Sequence, residues 1–219
     1  QARPALIAAL VKSHPEPVLI VTPTVEQERR LQAALRLWMV DSSRLLPFPE
    51  PPGLLYERVP WPPEVITDRL DVLSRLVKRQ TDRTSEGPAP VIITSARALM
   101  HRTLPYRQFR HAVKRVSVGD RLSLQALTRH AHSIGYDPVT IVQAPGQLSQ
   151  RGGLLDIFPP QAAQPYRLEF FGDEIDTMRT FAPETQRSTG RSRSFWLTPV
   201  REALPRDSKR ALNALERLI

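Results

Sequence analysis

The chain has 219 residues, 41% of them apolar, no cysteine, and 31 Lys and Arg against 22 Asp and Glu, a net charge of +9. That length supports one large hydrophobic core or two small ones. The lack of cysteine excludes disulfides and thiolate metal sites. No run of about 18 apolar residues occurs and no charged-then-apolar leader is seen in it, so a membrane partner is not expected; the lack of cysteine makes a reducing, cytoplasmic setting the expectation.

In chain order, "PALIAALVKSH" reads as a helix and "PVLIVTPT" as a strand apolar on both faces, hence buried on both. Thr24-Val-Glu-Gln27 is a capping box that opens the helix "VEQERRLQAALRLWM". "SRLLPF" is a short strand, and the prolines of residues 47–63 are too dense for regular structure. "EVITDRLDVLSRLVKRQ" sets Ile66, Leu70, Leu73, Leu76 and Val77 on one helical stripe. "TDRTSEGPAP" is a loop, and "VIITSARALMHR" is an apolar strand with Ser95 capping a following helix. Strands and helices alternate up to about residue 113, the pattern of a parallel α/β sheet.

The pattern then changes. "HAVKRVSVGD" alternates as a strand, and "SLQALTRHAHSIGY" is a helix capped by Ser123 and ended at Gly135. Four short strands are expected next, "VTIVQA", "GGLLDIF", "YRLEFF" and "EIDTMRTF". The expectation is an α/β domain over 1–113 and a small α+β domain with an antiparallel sheet over 114–199, with 200–219 leading back to the first. The chain starts on Gln1, and "SKRALNALERLI" stops within a helical pattern, so a piece of a longer protein is expected.

Chemistry-bearing motifs are sparse. Neither G-x-x-x-x-G-K-[ST] nor G-x-G-x-x-G occurs, so no phosphate-binding loop is expected within the residues shown. His130 and His132 are two apart, and such residues do not share a helix face. Asp173, Glu174 and Asp176 gather at a turn, where carboxylates are usually solvated rather than catalytic. No catalytic, cofactor or metal site is expected. The basic residues are scattered except in "RSTGRSR", and a nucleic-acid-binding module stays open as the alternative.

The last hairpin is the most informative stretch. Gly172-Asp173 makes a two-residue turn. Counting back from it opposes Phe171 to Glu174, Phe170 to Ile175, Glu169 to Asp176, Leu168 to Thr177 and Arg167 to Met178. One face then holds Tyr166, Leu168, Phe170 and Ile175. The other holds Arg167, Glu169, Phe171, Glu174, Asp176 and Met178, which leaves an aromatic ring among charges. Two explanations remain: a contact for a protein partner, or a ring covered by the loop "PPQAAQP". Arg151 is similarly open, since strict alternation puts it beside Leu155 and Ile157 whereas a bulge at Gly152-Gly153 turns it outward.

These same residues carry a resemblance. "RGGLLDIFPP…PYRLEFFGDEIDTMRTFAPETQRS" resembles the domain shared by the excision-repair protein UvrB and the transcription-repair coupling factors. Upstream, "VLIVTPTVEQERRLQAAL", "LLPFPEPPGLLYERVPWPPEVITDRLDVLSRL" and "VIITSARALMHRTLP" look like the amino-terminal module of the coupling factors. Residues 47–63 hold a single tyrosine, Tyr56, where UvrB has a tyrosine-rich hairpin, and "ETQRS" is coupling-factor wording. The coupling factors are therefore favoured and UvrB is the second choice.

The resemblance implies a RecA-like first domain with a degenerate nucleotide site, and a second domain that docks onto UvrA. Matched residue by residue, Arg151, Arg167 and Phe171 are the UvrA determinants, with Glu169 and Asp173 beside them. "GQLSQ" (146–150) departs from the family's usual Gly-Glu-Phe-Ala-Val and puts the edges of that contact in question. ATP, magnesium, DNA and RNA polymerase are implied for the parent's other domains, along with intramolecular packing that hides the UvrA surface.

Overall fold

The computed structural model describes residues 2–53, 61–81 and 87–202. Tyr56 and the segment 208–219, with its expected helix leading back to the first domain, lie outside the described residues. The chain divides into two compact units, 1–102 and 103–219. The division precedes the 113/114 boundary expected from sequence. Ala112 packs into the same buried cluster as Val116 and Leu124, so the stretch before 113 shares the second unit's core.

In the first unit, β1 (Val18–Thr22), β2 (Leu45–Phe48) and β3 (Val91–Ser95) form a parallel sheet in the order β1-β3-β2. Every residue of central β3 is buried. Its alternation sends Val91 and Ile93 to one face, where they meet Ala8 and Val11 of α1 (Ala2–Lys12) and Leu35 of α2 (Val25–Trp38). Ile92 goes to the other face, against Val72 of α3 (Pro63–Thr81) with Leu46 and Phe48. Thr24 caps α2 by accepting from the Gln27 amide (3.3 Å). Strand β1 is not buried on both faces as expected. Val18 and Ile20 pack against the α1–α2 cluster, while Leu19 and Val21, on the other face, lie outside the cluster that α3 forms with Leu46, Phe48 and Ile92 and are exposed.

Ser95 caps only a single 3-10 turn, Ala98–Met100, and not a full helix; its Oγ accepts from the Ala98 amide (3.1 Å). Arg69 on α3 is fully buried, its guanidinium 4.0 Å from the Phe48 ring and donating to the Pro49 carbonyl (3.0 Å).

The second unit opens with α4 (Tyr106–Ala112), a short helix not expected from the sequence, and β4 (Lys114–Ser117). Helix α5 (Leu124–Ser133) is capped by Ser123, whose Oγ accepts from the Ala126 amide. Then come β5 (Asp137–Pro138), β6 (Gln147–Arg151), β7 (Leu154–Ile157), β8 (Tyr166–Phe171), β9 (Glu174–Phe181), β10 (Ser188–Arg191) and β11 (Ser194–Leu197). Strands β5 to β10 form a sheet in the order β10-β9-β8-β7-β6-β5, antiparallel except for β5 with β6. β11 pairs with β4. "VTIVQA" is not a strand. After two residues of β5 the chain becomes irregular, and the divergent "GQLSQ" supplies β6 in its place.

The core of this unit joins Leu127 and Ala131 of α5 to Leu148, Leu155, Ile157, Leu168, Ile175 and Met178 of the sheet. The architecture is mixed α/β, with a parallel sheet in one unit and a mainly antiparallel sheet in the other. No described helix is long and apolar enough to cross a membrane.

Candidate partner-binding face

Directly opposed residues in an antiparallel pair share a face, so register decides which side chains stand away from the core. Strands β6 and β7 reverse at Gly152-Gly153, with Gly152 at φ +57° and Arg151 opposite Leu154. Arg151 therefore shares a face with Leu154 and Asp156, opposite to Leu155 and Ile157. A straight count of alternation fails here because the two-residue turn inverts the chain, and no bulge is needed.

The second hairpin turns at Gly172-Asp173, with Gly172 at φ +62°. Phe171 opposes Glu174 and Phe170 opposes Ile175, as the sequence predicts. Beyond that point the expected register is wrong. Glu169 opposes Thr177, Leu168 opposes Met178 and Arg167 opposes Arg179, because the ladder shifts by one residue at Asp176. The cause is burial: Ile175 and Met178 are both in the core, and an odd spacing reaches one face only through an extra residue. Met178 thus leaves the charged face, and Glu169 does not stand opposite Asp176.

Phe171 is 84% exposed, while Phe170 packs against the core. The loop that "PPQAAQP" forms covers the other end of this face. Ala162 packs there on a small cluster of Val142, Phe158 and Phe181, away from Phe171.

Between the two ends lies an ion-pair network. Asp156, 1% exposed, accepts from Arg167 Nε (2.7 Å to Oδ1) and Nη2 (2.8 Å to Oδ2), and from Arg151 Nη2 (2.8 Å to Oδ2). These bonds hold the Arg167 guanidinium charge above its already high ordinary pKa, against the opposing effect of burial. Arg167 also lies over the Phe181 ring at 4.6 Å and donates to the Gln186 carbonyl (3.3 Å). Gln186 sits at φ +60° and is pinned by donation from its Nε2 to the Val142 and Pro183 carbonyls. Its conformation is one that side-chain-bearing residues rarely adopt.

Glu169 accepts from Thr177 (2.8 Å) and Arg179 (2.6 Å). The side chain of Arg151 is 50% exposed, that of Arg167 only 19%. Asp173 is exposed at the turn.

The face thus brings Arg151, Arg167, Glu169 and Phe171 onto one side of three adjacent strands. Sequence reasoning missed Asp156, Arg179 and Gln186. The one available signal was an acid inside the apolar run "LLDIF", since a carboxylate is rarely buried without a basic partner. Elsewhere one ring nitrogen of each histidine is engaged, His130 Nε2 with the Ala112 carbonyl (3.1 Å) and His132 Nδ1 with the Tyr136 carbonyl (3.3 Å). No cluster of three metal-ligating side chains occurs among the described residues.

Residues 115–202, which include the whole of this face, match the family model described as UvrB interaction domain. This stretch is thus similar to UvrB interaction domains. Beyond it, the chain is 28% identical to the transcription-repair-coupling factor of Bacillus subtilis over 99% of its length, which is 18% of that protein. It is 32% identical to that of Myxococcus xanthus over 95% of the chain and 17% of the relative. With that of Mycobacterium tuberculosis it shares 34% identity over 84% of the chain and 14% of the relative. The chain therefore spans less than a fifth of the length of these curated relatives. Within the matched stretch, Arg151 ends β6, Arg167 lies on central β8 and Phe171 is at its tip.

Proposed function

We propose that this chain is a non-catalytic recruitment module that binds UvrA through the face carrying Arg151, Arg167 and Phe171, flanked by Glu169 and Asp173. The exposed Phe171 ring is the observation that carries this. An aromatic side chain left in water beside oriented guanidinium groups forgoes about 1.5–3 kcal/mol of burial. A partner recess that accepts the ring recovers that energy, and this is the usual make-up of an interface hot spot. Arg151 supplies the open donors, whereas Arg167 is largely committed to Asp156 and Gln186 and fixes the geometry of the patch.

The first unit is read as a degenerate RecA-like domain that has no phosphate-binding loop and takes no cofactor itself. The wider assignment is to a transcription-repair coupling factor working in the cytoplasm. ATP, magnesium, DNA and RNA polymerase belong to its other domains, which also pack against this module. The full sequence similarity to such factors and the match to the UvrB interaction domain support it.

Calorimetric titration of the chain with UvrA tests the proposal. Phe171→Ala and Arg151→Ala are each expected to weaken binding by about 2 kcal/mol, some thirtyfold. Unchanged affinity in both variants would reject this face as the site.

A further inference from the structure

The register places three arginines directly beside one another across neighbouring strands. Arg167 on β8 opposes Arg179 on β9, which opposes Arg191 on the edge strand β10. Strands lie about 5 Å apart, so this is a continuous cationic row about 10 Å long on the same face as Arg151 and Phe171. Like charges directly opposed across a ladder are destabilising. Two members of the row are compensated from within the fold, Arg167 by Asp156 and Arg179 by Glu169. Arg191 is exposed and has no ion pair among the described residues. The Arg179 side chain keeps 43% exposure despite its pair. A row that is costly in the free protein and open at its outer end is suited to charge from outside.

Taking the proposed binding role of this face as its basis, we infer that Arg179 and Arg191 extend the UvrA contact to the sheet edge, where they receive an acidic segment of that protein. Polarity along the face favours a protein over a nucleic acid. The exposed carboxylates of Asp173 and Glu174 flank Phe171 at the hairpin tip, where Arg121 stands opposite Glu174, so that end carries mixed charge, while the arginine row lies further along the same strands. A partner with an apolar recess for Phe171 and carboxylates over the row matches both ends; a uniform polyanion matches only one. In this division of labour Phe171 and Arg151 hold the complex together, and the row steers its formation.

Rates of association and dissociation of UvrA with the 219-residue chain test this at low and high salt, for wild type, Arg191→Glu and Phe171→Ala. Melting temperatures confirm that both exposed-site variants fold. Arg191→Glu is expected to slow association about tenfold at low salt, with little change in dissociation, and the difference is expected to fade at high salt. Phe171→Ala is expected to speed dissociation instead. If Arg191→Glu associates like wild type at low salt while Phe171→Ala is impaired, the proposed site stands and the arginine row has no part in it. If Phe171→Ala also behaves as wild type, the face is not the UvrA site and both proposals fall. A parallel titration with duplex DNA separates the sources of negative charge. Salt-sensitive DNA binding lost in Arg191→Glu, with UvrA association unaltered, would assign the row to nucleic acid and overturn the inference.

Discussion

Asp156 and Arg167 face each other across β7 and β8 in a two-point contact, with both carboxylate oxygens engaged at 2.7 and 2.8 Å and almost no exposure of the acid. Arg151 reaches the same carboxylate from β6. One buried charge therefore orients two guanidinium groups drawn from two other strands, which lowers the ordering left for a partner to impose.

Asp156→Asn keeps the shape of the side chain and removes its charge. Breaking a buried pair by neutralising one partner costs about 3–5 kcal/mol, and the partial exposure of Arg167 lowers the expectation here to about 2–3 kcal/mol. Hydrogen exchange of β7 and β8 amides reads this directly. Arg151→Ala, at the half-exposed end of the network, should cost under about 1 kcal/mol in the same measurement.

The two adjacent phenylalanines are expected to separate stability from binding. Phe170→Ala removes a ring packed on the core and should destabilise the second unit by about 2–4 kcal/mol. Phe171→Ala should change stability by less than about 0.5 kcal/mol, since its ring is in water. Urea unfolding of the two variants distinguishes them, and equal losses would contradict the placement of the rings.

Gln186 holds a left-handed backbone conformation and also buttresses Arg167. Gln186→Gly relieves the backbone but deletes the side-chain bonds to Val142 and Pro183, whereas Gln186→Ala loses the bonds and keeps the strain. The alanine variant is expected to be the less stable of the two by about 1 kcal/mol, as read by thermal melting.

In the first unit, burial pushes Glu28 up to about 7, with the neighbouring Glu50 adding to the rise, and Arg29 and the Ser95 amide opposing it. Its Oε2 has no hydrogen-bond partner among the described residues. The folded state thus binds this proton more tightly than the unfolded chain, whose value is near 4.5. The corresponding stability is complete below about pH 4.5 and is lost as pH rises towards 7, by at most about 3 kcal/mol. Exchange of β3 amides at pH 5 and pH 8, corrected for intrinsic rates, should show this loss in the wild type and not in Glu28→Gln.

Much of the site was legible in the linear chain. The alternation of "YRLEFF" and the Gly172-Asp173 turn are local features, and together they suffice to send Phe170 inward and Phe171 outward. The alternating strands and helices of the first unit follow likewise from short-range hydrophobic period and caps such as Thr24. Only the tertiary structure decided the remainder. The shift at Asp176 exists because Ile175 and Met178 are both drawn into one core, and burying two large side chains outweighs an unbroken ladder. The two-residue turn after Arg151 inverted a count that was correct for a straight strand. The pairing of Asp156 with Arg167, and the alignment of Arg167, Arg179 and Arg191, depend on how separate strands register. Register is set by the collective fit of a whole sheet to its core, a quantity that no single segment contains.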